Sequence, residues 1–159
     1  MTGALSHIDA SGAARMVDVS AKGETVREAT ARGHIAMNAA ARQAIADGTV
    51  AKGDVIAVAR VAGIMAAKKT SDIIPLCHPL PLSGLAIDIA ADETGYSVAA
   101  TVRTTARTGV EMEALTSVSA TLLTLYDMLK AVDKLMIISD IHVIAKCGGK
   151  SGDWTIEER

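Results

Sequence analysis

A thiol and an imidazole stand side by side at Cys77-His78, inside the segment Ile74-Pro-Leu-Cys-His-Pro-Leu-Pro-Leu82, which holds all three prolines of the chain. Each proline fixes its own φ and biases the residue before it (Ile74, His78 and Leu80) towards extended geometry. The segment therefore reads as a stiff strap. A reactive pair ordered in advance loses less entropy when a ligand docks against it. The competing reading is a buried connector whose histidine satisfies backbone carbonyls.

Two acids come next, Glu113 and Asp127, on a stretch that reads as one helix. Fourteen residues of helix separate them by about 21 Å along the axis, on nearly the same side. One small substrate cannot touch both within a single chain, so a site that uses both lies between subunits. Glu111 is expected to serve a capping box with Thr108, whereas Glu113 has no such duty. Asp127, Lys130 and Lys134 share a polar flank, as a solvated ion-pair row or as proton carriers. Lys52 precedes Gly53-Asp54 at a helix N-terminus, where a cation is disfavoured, and breaking a local rule often marks a site. Crowded lysines are expected to lower one another's pKa, while a neighbouring cation keeps Asp127 ionised.

Gly149-Lys150-Ser151 ends like a phosphate loop, but Ile144 stands where the first glycine is required and no helix follows, which excludes that motif. A mobile glycine-rich lid that brings Lys150 to an anion is the reading left open. No Gly-x-Ser-x-Gly elbow or His-Glu-x-x-His motif occurs.

Composition narrows the classes. The chain has 159 residues, half of them apolar, with no Phe, one Trp, two Tyr and a net charge of −2. That size fits one domain, 1–159, with a flexible N-terminal segment to about residue 24 and a glycine-rich tail from about 147. So few stacking platforms argue against nucleic acid as a partner. Lysines clustered at Lys68-Lys69 and at Lys130, Lys134, Lys146 and Lys150 suit a small anion better. Cys77 and Cys147 match no Cys-x-x-Cys motif, and with His78 and His142 they lack zinc spacing, so neither a disulfide framework nor a metal site is expected. Met1 to Gly12 shows no basic stretch followed by an apolar one, and the apolar run Val55 to Ala67 carries Arg60 and is too short for a bilayer. A soluble cytoplasmic protein is the expectation.

The elements that must position these groups follow from periodicity. Arg27 to Met37 alternates as a strand, with Ala29, Ala31, Gly33, Ile35 and Met37 on one side. Asn38 to Ala46 reads as a short helix. Gly53-Asp54 opens a second helix to about Lys69, with Val58, Val61, Ala62 and Met65 expected on its apolar face, and Gly63, Ala66 and Ala67 admitting a close neighbour. Leu85 to Ala91 and Tyr96 to Ala106 form a hairpin through Asp92-Glu93-Thr94-Gly95. Leu115, Val118, Leu122, Leu125, Leu129 and Val132 mark the clearest helix, and Met136 to Lys146 a last strand. The fold class is α+β: a ferredoxin-like β-α-β-β-α-β antiparallel sheet with two long helices on one face.

In order, Met16-Val-Asp-Val-Ser20, Lys52-Gly-Asp-Val55, Ala62-Gly-Ile-Met-Ala-Ala-Lys-Lys-Thr70, the proline strap, Thr108-Gly-Val-Glu-Met-Glu-Ala-Leu115, Tyr126-Asp-Met128, Lys130-Ala-Val-Asp-Lys134 and Gly148-Gly-Lys-Ser-Gly152 span nearly the whole chain. Together they resemble the MoaC family, which forms cyclic pyranopterin monophosphate in molybdenum-cofactor biosynthesis. The resemblance implies a homohexamer, a trimer of dimers, with active sites at subunit interfaces. It implies the substrate (8S)-3′,8-cyclo-7,8-dihydroguanosine 5′-triphosphate, made from GTP by a radical-SAM cyclase, and release of pyrophosphate. No cofactor is implied, although a divalent cation can accompany the triphosphate. By motif, Asp127, Lys130 and Lys52 take catalytic roles. Leu76, Cys77, His78, Met112 and Glu113 take substrate contacts, and Lys68 and Lys150 lie near the triphosphate. The chain departs from the family pattern at Leu135, where a glycine is usual, and at Cys147, where a serine is common. Two other readings stand beside this one: a non-catalytic oligomeric nucleotide-binding module, and a Cys/His metal protein.

Overall fold

The computed structural model describes residues 8–9, 11–150 and 152–156; parts of the expected N-terminal segment and of the tail, Ser151 included, lie outside the described residues. The first strand, β1 (Thr25–Ala36), places Ala29, Ala31 and Ile35 in the core and keeps Glu28, Thr30, Arg32 and His34 on the opposite face. Alternation at a period of two dictates that split. Asn38 then caps α1 (Ala39–Ala46), its side chain accepting the Ala41 N–H, and Asp54 caps α2 (Val55–Lys68) through the Ala57 N–H. A single turn, α3 (Thr70–Ile73), leads into the proline strap, which makes one further turn at Ile74–Cys77 before extending. The hairpin strands β2 (Leu82–Ala91) and β3 (Gly95–Ala106) follow. Helix α4 (Glu111–Leu129), β4 (Ile137–Cys147) and the short β5 (Trp154–Thr155) complete the order.

The sheet among the described residues runs β2-β3-β1-β4-β5, antiparallel throughout. Without β5 this is the strand order of the split-βαβ plan, as the sequence led one to expect. Val118, Leu122, Leu125 and Leu129 of α4 are fully buried against β1, β3 and β4, and α2 lies beside α4 over β2.

Two local expectations are corrected. The apolar face of α2 is turned the other way: Val55, Ala59, Gly63 and Ala67 are buried, while Val58, Val61 and Met65 are each about half exposed. Small residues face α4 because the helices approach closely; a Cβ on Gly63 would stand 3.0 Å from the Ser117 carbonyl oxygen and collide with the Thr121 hydroxyl. The capping box is absent as well. Helix α4 starts at Val110 with no side-chain cap, and Glu111 instead forms an ion pair with Lys146 across to β4. The packing of β4 against the α4 start thus took the carboxylate that the capping pattern assigned to Thr108. Val132 falls beyond the helix and is exposed. Leu135 is also exposed, and its N–H is satisfied by the buried Asp133, which receives the Asn38 N–H on its other oxygen. Its φ is not positive, so the position does not demand glycine.

Candidate active site

Three of the sequence-chosen groups meet at the C-terminal end of α4. Lys52 Nζ donates to Asp127 Oδ2 at 2.8 Å and to the Asp127 backbone carbonyl at 2.8 Å, while Lys130 Nζ lies 2.7 Å from Asp127 Oδ1. Lys130 is brought there by the last turn of α4 and Lys52 by the turn that Gly53 closes at φ 96°. The cation that looked misplaced before α2 therefore reaches the negative end of another helix, where both the carbonyl and the carboxylate favour it. Hydrogen bonds from Lys130 and then Lys52 hold the Asp127 carboxyl down at about 2, so it stays ionised through the neutral range. The expected lowering of lysine pKa is not met at Lys130: its bond to Asp127 pushes the ammonium up. Each of the three side chains is about half exposed, open to a ligand or a neighbouring surface.

A second group gathers at the other end of α4. Leu76, Cys77 and His78 of the strap and Met112 and Glu113 of the first α4 turn line one cavity of about 260 Å³, with Val17, Val19 and Lys22 across from them. Glu113 is 4 % exposed. Desolvation, reinforced by the charge of Glu111, raises its carboxyl to about 7, so it can hold or release a proton near neutrality. Burial raises the Cys77 thiol, and Glu113 raises it further, which disfavours a thiolate nucleophile.

Beside this cavity, sharing Lys22, Thr108 and Gly109 with it, is a recess of about 330 Å³ lined also by Arg27, Arg107, Lys150 and the Glu111–Lys146 ion pair. Arg27 is nearly buried, and its Nε has no hydrogen-bond partner among the described residues. Sequence reasoning singled out Lys150 but missed Arg27, Arg107 and Lys22. They are scattered along the chain, and only the strand register and the tail's return bring them together; Arg27 read simply as the start of a strand. Lys68, exposed in the last turn of α2, lines neither cavity.

The Asp127 and Glu113 groups thus occupy opposite ends of one 19-residue helix. Among the described residues no group of three or more His, Cys, Asp and Glu side chains is placed to hold a metal ion. No described helix is long and apolar enough to cross a membrane.

Comparison with known proteins fits this layout. The MoaC family profile matches residues 16–149. The chain is 56% identical over 156 residues to a protein of Heliobacterium modesticaldum, covering 97% of this chain and 98% of that one. It is 57% identical over 160 residues to one of Brucella ovis (99% and 97%), and 59% identical over 156 residues to one of Chloroflexus aggregans (97% and 94%). Each of those relatives bears the name cyclic pyranopterin monophosphate synthase. With every motif in order and the match running almost end to end, the chain belongs to the MoaC family.

Proposed function

We propose that the chain is an enzyme that converts (8S)-3′,8-cyclo-7,8-dihydroguanosine 5′-triphosphate to cyclic pyranopterin monophosphate with release of pyrophosphate, in molybdenum-cofactor biosynthesis. The observation that carries the reading is the Lys52–Asp127–Lys130 cluster, assembled from residues 75 apart in sequence, in a chain so close to synthases of that name. The chemistry opens a C–N linkage, rebuilds a pyrazine-type ring and closes a cyclic phosphate. Each step moves protons, and a positioned acid–base group contributes roughly 10²–10⁴-fold. Asp127 orients the Lys52 and Lys130 ammonium groups, so that either donates a proton as negative charge develops on substrate. Glu113, neutral or ionised near pH 7, is suited to exchange a proton with the purine-derived ring held by Leu76, Cys77, His78 and Met112.

Lys22, Arg27, Arg107, Lys146 and Lys150 are read as the cradle of the triphosphate and of the departing pyrophosphate. Because Glu113 and Asp127 are about 21 Å apart along α4, a complete site combines the Glu113 end of one protomer with the Asp127 end of another, as a homohexamer built as a trimer of dimers allows. Val58, Val61 and Met65, exposed on α2, suit burial in such contacts. The substrate is supplied by a radical-SAM GTP cyclase. Incubation of the purified chain with the cyclised triphosphate should release one pyrophosphate per tricyclic product; well-folded protein that yields neither overturns the assignment.

A further inference from the structure

We infer that Asp153 is a positioning residue, holding the Gly148–Gly149 turn in the shape that sets Lys150 into the same basic recess as Arg27. The inference rests on the reading of that recess as a phosphate site. Strand β5 pairs Trp154 with Lys146 and Thr155 with Ala145, and the Ile156 N–H reaches the Ile144 carbonyl at 2.7 Å. The chain therefore folds back on β4 as a hairpin, and Asp153 returns to the turn it has just left. There its Oδ1 accepts the Gly148 N–H at 2.7 Å and its Oδ2 accepts the Cys147 thiol at 3.5 Å. The turn has a shape that other residues resist. Gly148 and Gly149 hold φ of 85° and 91°, and a Cβ on Gly148 would strike the Val26 carbonyl. A Cβ on Gly149 would strike the Arg27 guanidinium, so the bare glycine backbone lies directly on the buried arginine.

Charge alone gives Asp153 the wrong sign. A carboxylate bonded to the turn beside this recess, whose lining sets Lys22, Arg27, Arg107, Lys146 and Lys150 against the one acid Glu111, repels an anion, and removing it should tighten anion binding. Positioning predicts the reverse, because without the Gly148 bond the permissive glycine turn is freer to move and Lys150 leaves its place. The two accounts differ in direction, which makes the question decidable.

The test is calorimetric titration of the full chain with inorganic pyrophosphate, alongside turnover of the cyclised triphosphate. Asp153→Ala should weaken pyrophosphate binding about tenfold and raise KM by a similar factor. Asp153→Asn, whose amide oxygen still accepts the Gly148 N–H, should restore most of the affinity. In the Lys150→Ala background Asp153→Ala should cost nothing further, since both act through one ammonium. Should Asp153→Ala melt below the wild type, the Asn variant and the double variant carry the comparison. Affinity equal to or above wild type in Asp153→Ala, or additive losses in the double variant, overturns the role of Asp153. Lys150→Ala that binds pyrophosphate as well as wild type removes the phosphate reading of the recess and this inference with it, while parallel turnover shows whether the enzyme assignment survives.

Discussion

Asp127 owes its character to two neighbours rather than to burial: it is exposed, and hydrogen bonds from Lys130 and Lys52 hold its carboxyl down at about 2. Its carboxylate sits at the C-terminal turn of α4, where negative charge is unfavourable, so helix stability gives no reason for an acid there. Asp127→Ala is therefore expected to leave the melting temperature close to wild type while reducing product formation on the order of a hundredfold or more. A non-catalytic nucleotide-binding module would instead keep or tighten its anion binding, and measuring both quantities on one preparation separates the two. Glu113 is the opposite case, shaped by desolvation. Its folded pKa of about 7 lies above the ordinary 4.5, so its contribution to stability is fully present below pH 4.5 and is lost as pH rises through 7. Glu113→Gln should abolish that slope and, at pH 8, melt above wild type by the equivalent of roughly 2–3 kcal/mol. Melting curves of both proteins between pH 4.5 and pH 8 check this; parallel curves would show that Glu113 titrates normally.

Helices α2 and α4 are held together by what α2 lacks. Gly63 lets the Ser117–Thr121 turn of α4 approach its backbone, and the Thr121 hydroxyl is already committed to the Ser117 carbonyl at 2.8 Å. Gly63→Ala gains a little helix propensity but must push the helices apart or displace Thr121 and Ile87. Overpacking of this kind costs roughly 1–3 kcal/mol, and the loss should appear in urea unfolding as a lower midpoint at unchanged slope. Because α2 begins close to Lys52 and Asp127 lies in the last turn of α4, the same shift should loosen the Lys52–Asp127 pair and lower turnover beyond the stability effect.

The assembled protein needs more than one chain if both ends of α4 serve one substrate. Val58, Val61 and Met65 lie on one exposed stripe of α2, with exposed Leu123 on α4. Charging that stripe with the pair Val61→Glu and Met65→Glu should keep the fold, since neither side chain is in the core, and reduce the proposed hexamer to smaller species in light scattering. Turnover should fall with the oligomer while each isolated chain keeps its Lys52–Asp127–Lys130 cluster. A monomeric variant with full activity would show that one protomer holds a complete site.

The strand alternation of β1, the long apolar repeat of α4 and the hairpin through Asp92–Gly95 were legible because each is a local pattern whose burial has one solution. The order of elements then restricts the topology to few choices, and the motifs, carried by loops and helices alike, announced the family. The start of α4 and the buried side of α2 were not legible. Glu111 had two suitors, Thr108 nearby in sequence and Lys146 in space, and only the register of β4 decided for Lys146. Likewise α2 offers an apolar face and a small-residue face, and the close approach of α4 chose the small one. Local sequence therefore set which segments are helix and strand, because those choices depend on neighbours a few positions away. Tertiary structure alone set the partners: Lys52 with Asp127, Arg27 with the Gly148–Gly149 turn and Glu113 with the strap depend on where distant segments cross.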